Sequence, residues 1–167
     1  MVKVCVDVDY REDQAVAAAV LFHDWGDPTA AGRIVQTICP VAAYEPGAFY
    51  RRELPCLMAV LGQVSDPLEL VIVDGYVWLQ DETRPGLGAH LHAALEGKVP
   101  VVGVAKTCFT SAKGAVAVVR GCLASRPLYV TAVGVDVTEA AERVRGMHGP
   151  HRIPTLLKLV DRVCRDG

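Results

Sequence analysis

The sequence lacks the long apolar runs, paired cysteines and one-sided charge that mark several classes of protein. No stretch of this 167-residue chain approaches the roughly 18 apolar residues that a membrane span needs. Its six cysteines form no Cys-x-x-Cys pair and several stand inside apolar runs. We therefore expect buried, reduced thiols in a cytoplasmic protein, not a disulfide scaffold or zinc site. The net charge of −2 argues against a high-capacity nucleic-acid coat, which would be strongly basic.

Apolar residues, in contrast, are abundant enough for one complete core. They make up 51% of the chain, and a domain of this size buries roughly 70% of its unfolded surface. Because no internal repeat, low-complexity segment or linker interrupts the sequence, we expect residues 1–167 to form a single domain. The opening Met-Val-Lys-Val-Cys-Val-Asp has a lysine and no small-residue cleavage site, which indicates a strand and not a signal peptide.

The order of apolar patterns predicts an α/β fold. Valine alternates from Val2 to Val8, and apolar runs follow at Ala15–Phe22 and Arg33–Val41, with a turn between these two runs. These runs predict three antiparallel strands, after which strands and helices alternate, so a mixed sheet covered by helices is expected. The later predicted strands are Leu70–Val73, Val99–Ala105, Ala115–Val119 and Leu128–Val133, and the predicted helices are Phe49–Val64, Leu87–Leu95, Thr138–Met147 (capped by Thr138) and Pro154–Cys164.

Four polar residues interrupt these apolar elements. Asp7 faces away from the valines of the first strand, Asp74 and Lys106 end two later strands, and Glu53 lies at the head of the first helix. Ligands collect outside the carboxyl ends of strands in α/β sheets, so these side chains are candidates to converge. Carboxylates bind Mg²⁺ or Mn²⁺, and a lysine neutralises charge on a phosphate. Taken singly, each residue also fits an ordinary turn, strand edge, helix start or solvated strand end.

Several segments, in order, resemble the endonuclease V family. They are Cys5-Val-Asp-Val-Asp-Tyr10, the segment from Ala43 to Pro55 (AYEPGAFYRRELP), Val73-Asp-Gly75, Gly86-Leu-Gly-Ala-His-Leu91 and the lysine-bearing strand from Val99 to Thr107. The resemblance runs from about Val4 to Thr107 and is weaker from Leu128 to Arg162. It implies a ribonuclease-H-like fold and a metal-dependent endonuclease that nicks inosine-containing (deaminated) DNA or RNA near the modified base.

The resemblance also implies roles for individual residues. Asp7, Glu53 and Asp74 would hold Mg²⁺ or Mn²⁺, and Lys106 would assist at the phosphate. Enzymes that evert a base need a pocket for it and a group that fills the vacated stack. The wedge that fills the stack would contain Tyr44 and Pro46, and the base pocket would be lined by Gly47, Phe49 and Gly75. The expected partner is a single-stranded, nicked or mismatched strand with a deaminated base, bound by a cytoplasmic monomer without membrane contact.

The chain departs from the family pattern at three places. The loop Tyr76–Arg84 has no histidine, and Gln80 or Asp81 stands near the expected position. The late Gly-His-Arg-Ile-Ser motif reads Gly134-Val-Asp-Val-Thr138, where Asp136 is either a fourth carboxylate or a helix start. Glu45 occupies a wedge position that is usually apolar. Two alternatives therefore stay open. One is a non-catalytic nucleic-acid-binding relative, which the missing histidines and Glu45 favour. The other is a metal-dependent small-molecule phosphoesterase, which the near-neutral charge favours.

Overall fold

The chain forms nine strands and four helices in the computed structural model, which describes residues 1–122 and 125–167. The strands are β1 (Val2–Arg11), β2 (Gln14–Phe22), β3 (Gly32–Ile38), β4 (Leu68–Asp74), β5 (Trp78–Gln80), β6 (Arg84–Pro85), β7 (Val101–Ala105), β8 (Val116–Val118) and β9 (Leu128–Val133). The helices are α1 (Tyr50–Leu61), α2 (Leu87–Ala94), α3 (Val137–Arg145) and α4 (Thr155–Asp166).

Seven of these strands form one mixed sheet in the order β3-β2-β1-β4-β7-β9-β8. The first three strands pair antiparallel, as predicted, while β1, β4 and β7 run parallel to one another. The last two strands return antiparallel, with β9 beside β7 and β8 at the edge. The predicted mixed sheet is therefore confirmed. Sequence reasoning missed the short β5–β6 hairpin, which lies in a segment predicted to be a loop.

Helices cover both faces of the sheet and create two apolar cores. One core joins alternate valines of β1 (Val2, Val4 and Val6) to α1 and α2. The other contains Cys5 of β1 and the apolar sides of α3 and α4. Because successive side chains of a strand point to opposite faces, Asp7 shares the face of Cys5 and points toward the α3–α4 layer. The alternation of side chains along β1, which the sequence predicts, therefore determines the face on which Asp7 lies.

The start of α3 differs from the prediction that Thr138 caps this helix. The helix begins one residue earlier, and Asp136 is its N-cap. Asp136 has an extended backbone, and its Oδ1 accepts a 2.9 Å hydrogen bond from the Glu139 amide. Aspartate at this position satisfies one of the amides that a helix start leaves without a partner. Thr138 instead lies inside the first turn.

Two expectations based on composition have different outcomes. Cys5, Cys56 and Cys164 are buried, whereas Cys39, Cys108 and Cys122 are exposed, so the expectation of buried thiols holds for three of the six. Over the described residues, no helix is long and apolar enough to cross a membrane.

Gly103, in the middle of β7, fixes the turn that follows β4. A Cβ atom at this glycine would lie 2.5 Å from the Gly75 carbonyl oxygen, 2.8 Å from the Thr131 hydroxyl and 2.9 Å from the Val77 amide. The Thr131 hydroxyl itself accepts a 2.8 Å hydrogen bond from the Val77 amide. The chain after Asp74 therefore passes directly over β7, which leaves no space for any side chain at position 103.

We expect Gly103→Ala to lower the free energy of unfolding by about 1–3 kcal/mol, because the new methyl group must displace backbone atoms in a packed region. Gly114→Ala is the matched control, since a Cβ at Gly114 meets no described atom within 4 Å. Urea denaturation of both variants measures the difference. Equal stabilities would contradict the close approach of the turn to β7.

Candidate active site

The register of the parallel strands brings Asp7 and Asp74 to the same level of the sheet. Val6 of β1 pairs with Val73 of β4, so each aspartate follows a paired residue. Lys106 follows the end of β7, the next strand along, and its Nζ donates a 2.8 Å hydrogen bond to Asp74 Oδ2. Asp74 and Lys106, which the sequence predicts at the ends of two strands, therefore form a direct ion pair. Both side chains are partly exposed.

Glu53 reaches these residues from the first turn of α1 and is almost completely buried, with 5% of its surface exposed. Its Oε2 atom is inaccessible and has no hydrogen-bond partner among the described residues. Burial, followed by repulsion from Asp7 and then Asp74, raises the pKa of Glu53 to about 8. The guanidinium of the preceding residue, Arg52, packs over the Tyr10 ring, 3.8 Å from the ring centre.

Asp7 interacts electrostatically with the other charged groups of the site. Burial and the neighbouring Asp74 raise its pKa to about 6, while a hydrogen bond from the Val8 amide and the charge of Lys106 act in the opposite direction. The Val8 amide lies 2.9 Å from Asp7 Oδ1. Two carboxyl groups with raised pKa values, together with Asp74, indicate a concentration of negative charge that the protein compensates only in part.

Asp161 of α4 is a further carboxylate near this group, and sequence reasoning did not identify it. Its charge raises the pKa of both Asp7 and Lys106, and it accepts a 3.1 Å hydrogen bond from Arg165 Nε. The available signal was its spacing: Asp161 lies between Val160 and Cys164, two residues of the buried stripe of α4. An acid next to such a stripe lies at the boundary between the packed face and solvent, and the Asp161 side chain is partly buried.

The structure does not bring Asp136 to this edge. Because β9 runs antiparallel to β7, its last residue, Val133, pairs with the first residue of β7, Val101. Asp136 therefore lies beyond the amino end of β7, whereas Lys106 lies beyond its carboxyl end. Gln80 and Asp81 are exposed at the β5–β6 hairpin.

The donor set fits a divalent cation in its chemistry. In the part of the chain that is described, no three histidine, cysteine or acidic side chains are already placed as a metal site, and Asp74 is paired with Lys106 instead. The buried Glu53 oxygen without a partner nevertheless marks a position where a positive group would relieve an energetic cost. Carboxylate oxygens are the ligands that Mg²⁺ and Mn²⁺ prefer.

A cleft of about 300 Å³ opens beside Asp74. All three residues predicted to line a base pocket border this cleft, namely Gly47, Phe49 and Gly75. Sequence reasoning missed three further aromatic residues in the lining, namely Tyr50, Tyr76 and Phe109. The ring centres of Tyr76 and Phe109 lie 6.1 Å apart. The Tyr76 hydroxyl donates to the Thr107 carbonyl (2.7 Å) and accepts from the Phe109 amide (3.0 Å).

The predicted wedge residues lie next to this cleft on an exposed loop. Tyr44 is 60% exposed, and Phe49 is 46% exposed where the loop enters α1. Pro46 is followed by Gly47, whose φ of +77° is the left-handed conformation that glycine adopts without strain. The turn is closed by a 3.0 Å hydrogen bond from the Ala48 amide to the Glu45 carbonyl. Tyr44 is therefore presented to solvent on a loop whose Gly47 borders the cleft.

The mixed sheet between two helical layers has the ribonuclease-H-like nuclease fold. The endonuclease V profile matches residues 2–117. The chain belongs to the endonuclease V family.

Similarity to individual family members extends over different lengths. Endonuclease V of Streptomyces avermitilis is 30% identical over 187 aligned positions, covering 96% of this chain and 77% of that protein. Its crystal structure has a TM-score of 0.76 and covers 99% of this chain. Endonuclease V of Streptomyces coelicolor is 39% identical over 112 residues, but the match spans only 44% of its length. Ciona intestinalis endonuclease V, solved with DNA containing an inosine, has a TM-score of 0.82 at 18% identity.

In the absence of divalent metal, Glu53 should make stability depend on pH. Its folded-state pKa of about 8 exceeds its ordinary value of 4.5, so the folded chain holds this proton more tightly than the unfolded chain does. The stabilisation is complete below about pH 4.5 and is lost as the pH rises toward 8. We expect Glu53→Gln to gain at least about 1 kcal/mol of unfolding free energy relative to wild type between pH 5 and 8.

Urea denaturation in EDTA at pH 5, 6.5 and 8 measures this difference. Glu96→Gln, at an exposed glutamate outside the site, is the control and should track the wild type at each pH. A constant difference between wild type and Glu53→Gln over this range would contradict the burial of an uncompensated Glu53 carboxyl.

Proposed function

We propose that this chain is a metal-dependent endonuclease that nicks inosine-containing DNA or RNA near the modified base. The observation that carries the proposal is the electrostatic interaction of Asp7, Glu53 and Asp74, with Lys106 paired to Asp74, directly beside a cleft with aromatic walls. Membership of the endonuclease V family supports the same activity. We further propose that residues 1–167 act as one domain and as a cytoplasmic monomer.

Mg²⁺ or Mn²⁺ would be held by Asp7, Glu53 and Asp74, and the position of Asp161 supports its addition to this set. A bound divalent cation supplies polarisation of the phosphate, a more acidic water molecule and stabilisation of the leaving oxygen. The residues of the chain have complementary tasks. Asp7 within β1, Asp74 at the end of β4 and Glu53 in the first turn of α1 would orient the cation from rigid elements. Lys106 would supply a positive charge to the scissile phosphate once metal binding engages Asp74.

The loop and cleft suggest how the damaged base is selected. Tyr44 and Pro46 would fill the gap in the stack, and the cleft bordered by Gly47, Phe49 and Gly75 would receive the everted base. Phe49 and Tyr76 offer flat apolar surfaces, and stacking against such surfaces is a principal source of affinity for an unpaired base. The Ciona intestinalis relative was solved with inosine-containing DNA, which supports inosine as the base.

A second candidate is a strand-binding relative without cleavage activity. The observation that favours it is the Asp74–Lys106 ion pair, which occupies a carboxylate that metal binding requires. This ion pair is partly exposed, and such pairs contribute only about 0–1 kcal/mol, so a divalent cation displaces it at small cost. We therefore favour the nuclease.

We expect metal-dependent nicking of a labelled single strand that carries one inosine, and a loss of at least about 100-fold in Asp74→Asn, because one charged ligand is removed. Asp136→Asn is the matched control: it makes the same chemical change at the opposite edge of the sheet and keeps a residue suited to the N-cap. It should nick at the wild-type rate.

Denaturing gels after incubation with Mg²⁺, Mn²⁺ or EDTA measure the product. Strand binding without cleavage would favour the non-catalytic relative. Turnover of small phosphate esters without strand binding would indicate the phosphoesterase, and activity in EDTA would contradict the metal requirement.

A further inference from the structure

An ion pair ties the wedge loop, defined as residues 43–48, to the first turn of α1. Arg51 Nη1 donates a 3.0 Å hydrogen bond to Glu45 Oε2. The backbone supports the pair, because the Ala48 amide donates to the Glu45 carbonyl and the Arg51 amide donates to the Ala48 carbonyl, each at 3.0 Å. An unpaired negative charge on Glu45 would oppose strand binding. In the structure this charge is instead paired with Arg51 of the adjoining helix.

This ion pair is accessible to other anions that approach from solvent. The Arg51 and Glu45 side chains are 62% and 57% exposed. Arg51 lies one residue after Tyr50, which lines the cleft, and two residues before the buried Glu53. Arg51 Nε lies 3.4 Å from the hydroxyl of Tyr50, so the guanidinium is beside a residue of the cleft lining and next to the loop that carries Tyr44.

A guanidinium binds phosphate with the same forked geometry with which it binds carboxylate. A nucleic-acid backbone that enters the cleft consequently meets a cation whose present partner is a carboxylate, which carries one negative charge as a phosphodiester does. Exposed carboxylate–arginine pairs contribute little to stability, so the exchange of partners is energetically accessible.

We propose that Arg51 contacts a backbone phosphate of the bound strand and that Glu45 is its intramolecular competitor. The inference rests on the proposed function, from which it takes the strand as ligand. Binding breaks the Glu45–Arg51 pair and forms an Arg51–phosphate pair, which leaves the Glu45 carboxylate to solvent. The competitor reduces the base-independent part of strand affinity, so strands with no base in the cleft are held weakly.

The test is a double-mutant cycle on strand affinity. Wild type, Glu45→Gln, Arg51→Gln and the double variant are titrated into a fluorescent inosine-containing strand, in EDTA and in Ca²⁺, with anisotropy as the readout. Glu45→Gln should tighten binding by about 2- to 5-fold, because the competitor is lost. In the Arg51→Gln background the same change should have less than half of that effect.

Salt dependence supplies a second readout that a structural role of Arg51 would not move. Each phosphate contact to a single strand contributes a slope of about −0.7 to the logarithm of affinity against the logarithm of salt concentration. Arg51→Gln should make the slope shallower by about that amount. Glu96→Gln is the charge-matched control for Glu45→Gln, because each variant removes a glutamate from an exposed ion pair. Glu96 pairs with Lys98 in the loop between α2 and β7, so its substitution should leave affinity unchanged.

Equal tightening by Glu45→Gln in both backgrounds would show general repulsion and overturn the competition. An unchanged affinity and salt slope in Arg51→Gln would overturn the phosphate contact. Wild type that binds no strand in either condition would instead contradict the proposed function itself, before any variant is compared.

Discussion

The burial of the Glu53 carboxyl beside Asp7 and Asp74 is the constraint on which the rest of the structure depends. A carboxylate removed from water and placed near like charges is unfavourable unless a proton or cation compensates it. The protein maintains this arrangement with rigid parts: the paired register of β1 and β4, the packed first turn of α1, and a turn after β4 that Gly103 admits over β7. The stability of the surrounding sheet thus supports an energetically unfavourable site.

Much of this arrangement could be predicted because it depends on local patterns. The alternation of side chains along the first strand predicted the face on which Asp7 lies. The end of a later apolar run predicted the position of Asp74 at a strand end. The contributions of Asp136 and Asp161 depend instead on tertiary geometry. Periodicity locates β9 but not its direction, and the antiparallel direction carries Asp136 to the opposite edge. Asp161 becomes relevant only when α4 packs on the face to which Asp7 points.

The wedge loop shows the same limit at a smaller scale. In the sequence Glu45 is an isolated negative charge at a position that is usually apolar, which argues against strand binding. The turn at Gly47 folds the loop back and brings Glu45 to Arg51, so the charge is paired. Only the backbone conformation between them decides this, because six positions in an extended segment would separate the two side chains widely. The site thus combines an acidic edge, a cleft and a loop restrained by an ion pair.

Proton release on metal binding tests the central account most directly. Calorimetric titration of Mn²⁺ at pH 7, in buffers of different ionisation enthalpy, counts the protons that leave the chain. Because a carboxyl group with a pKa of about 8 must lose its proton to bind a cation, wild type should release close to one proton per Mn²⁺, and Glu53→Gln far less. Binding of Mn²⁺ by wild type without proton release would contradict the account.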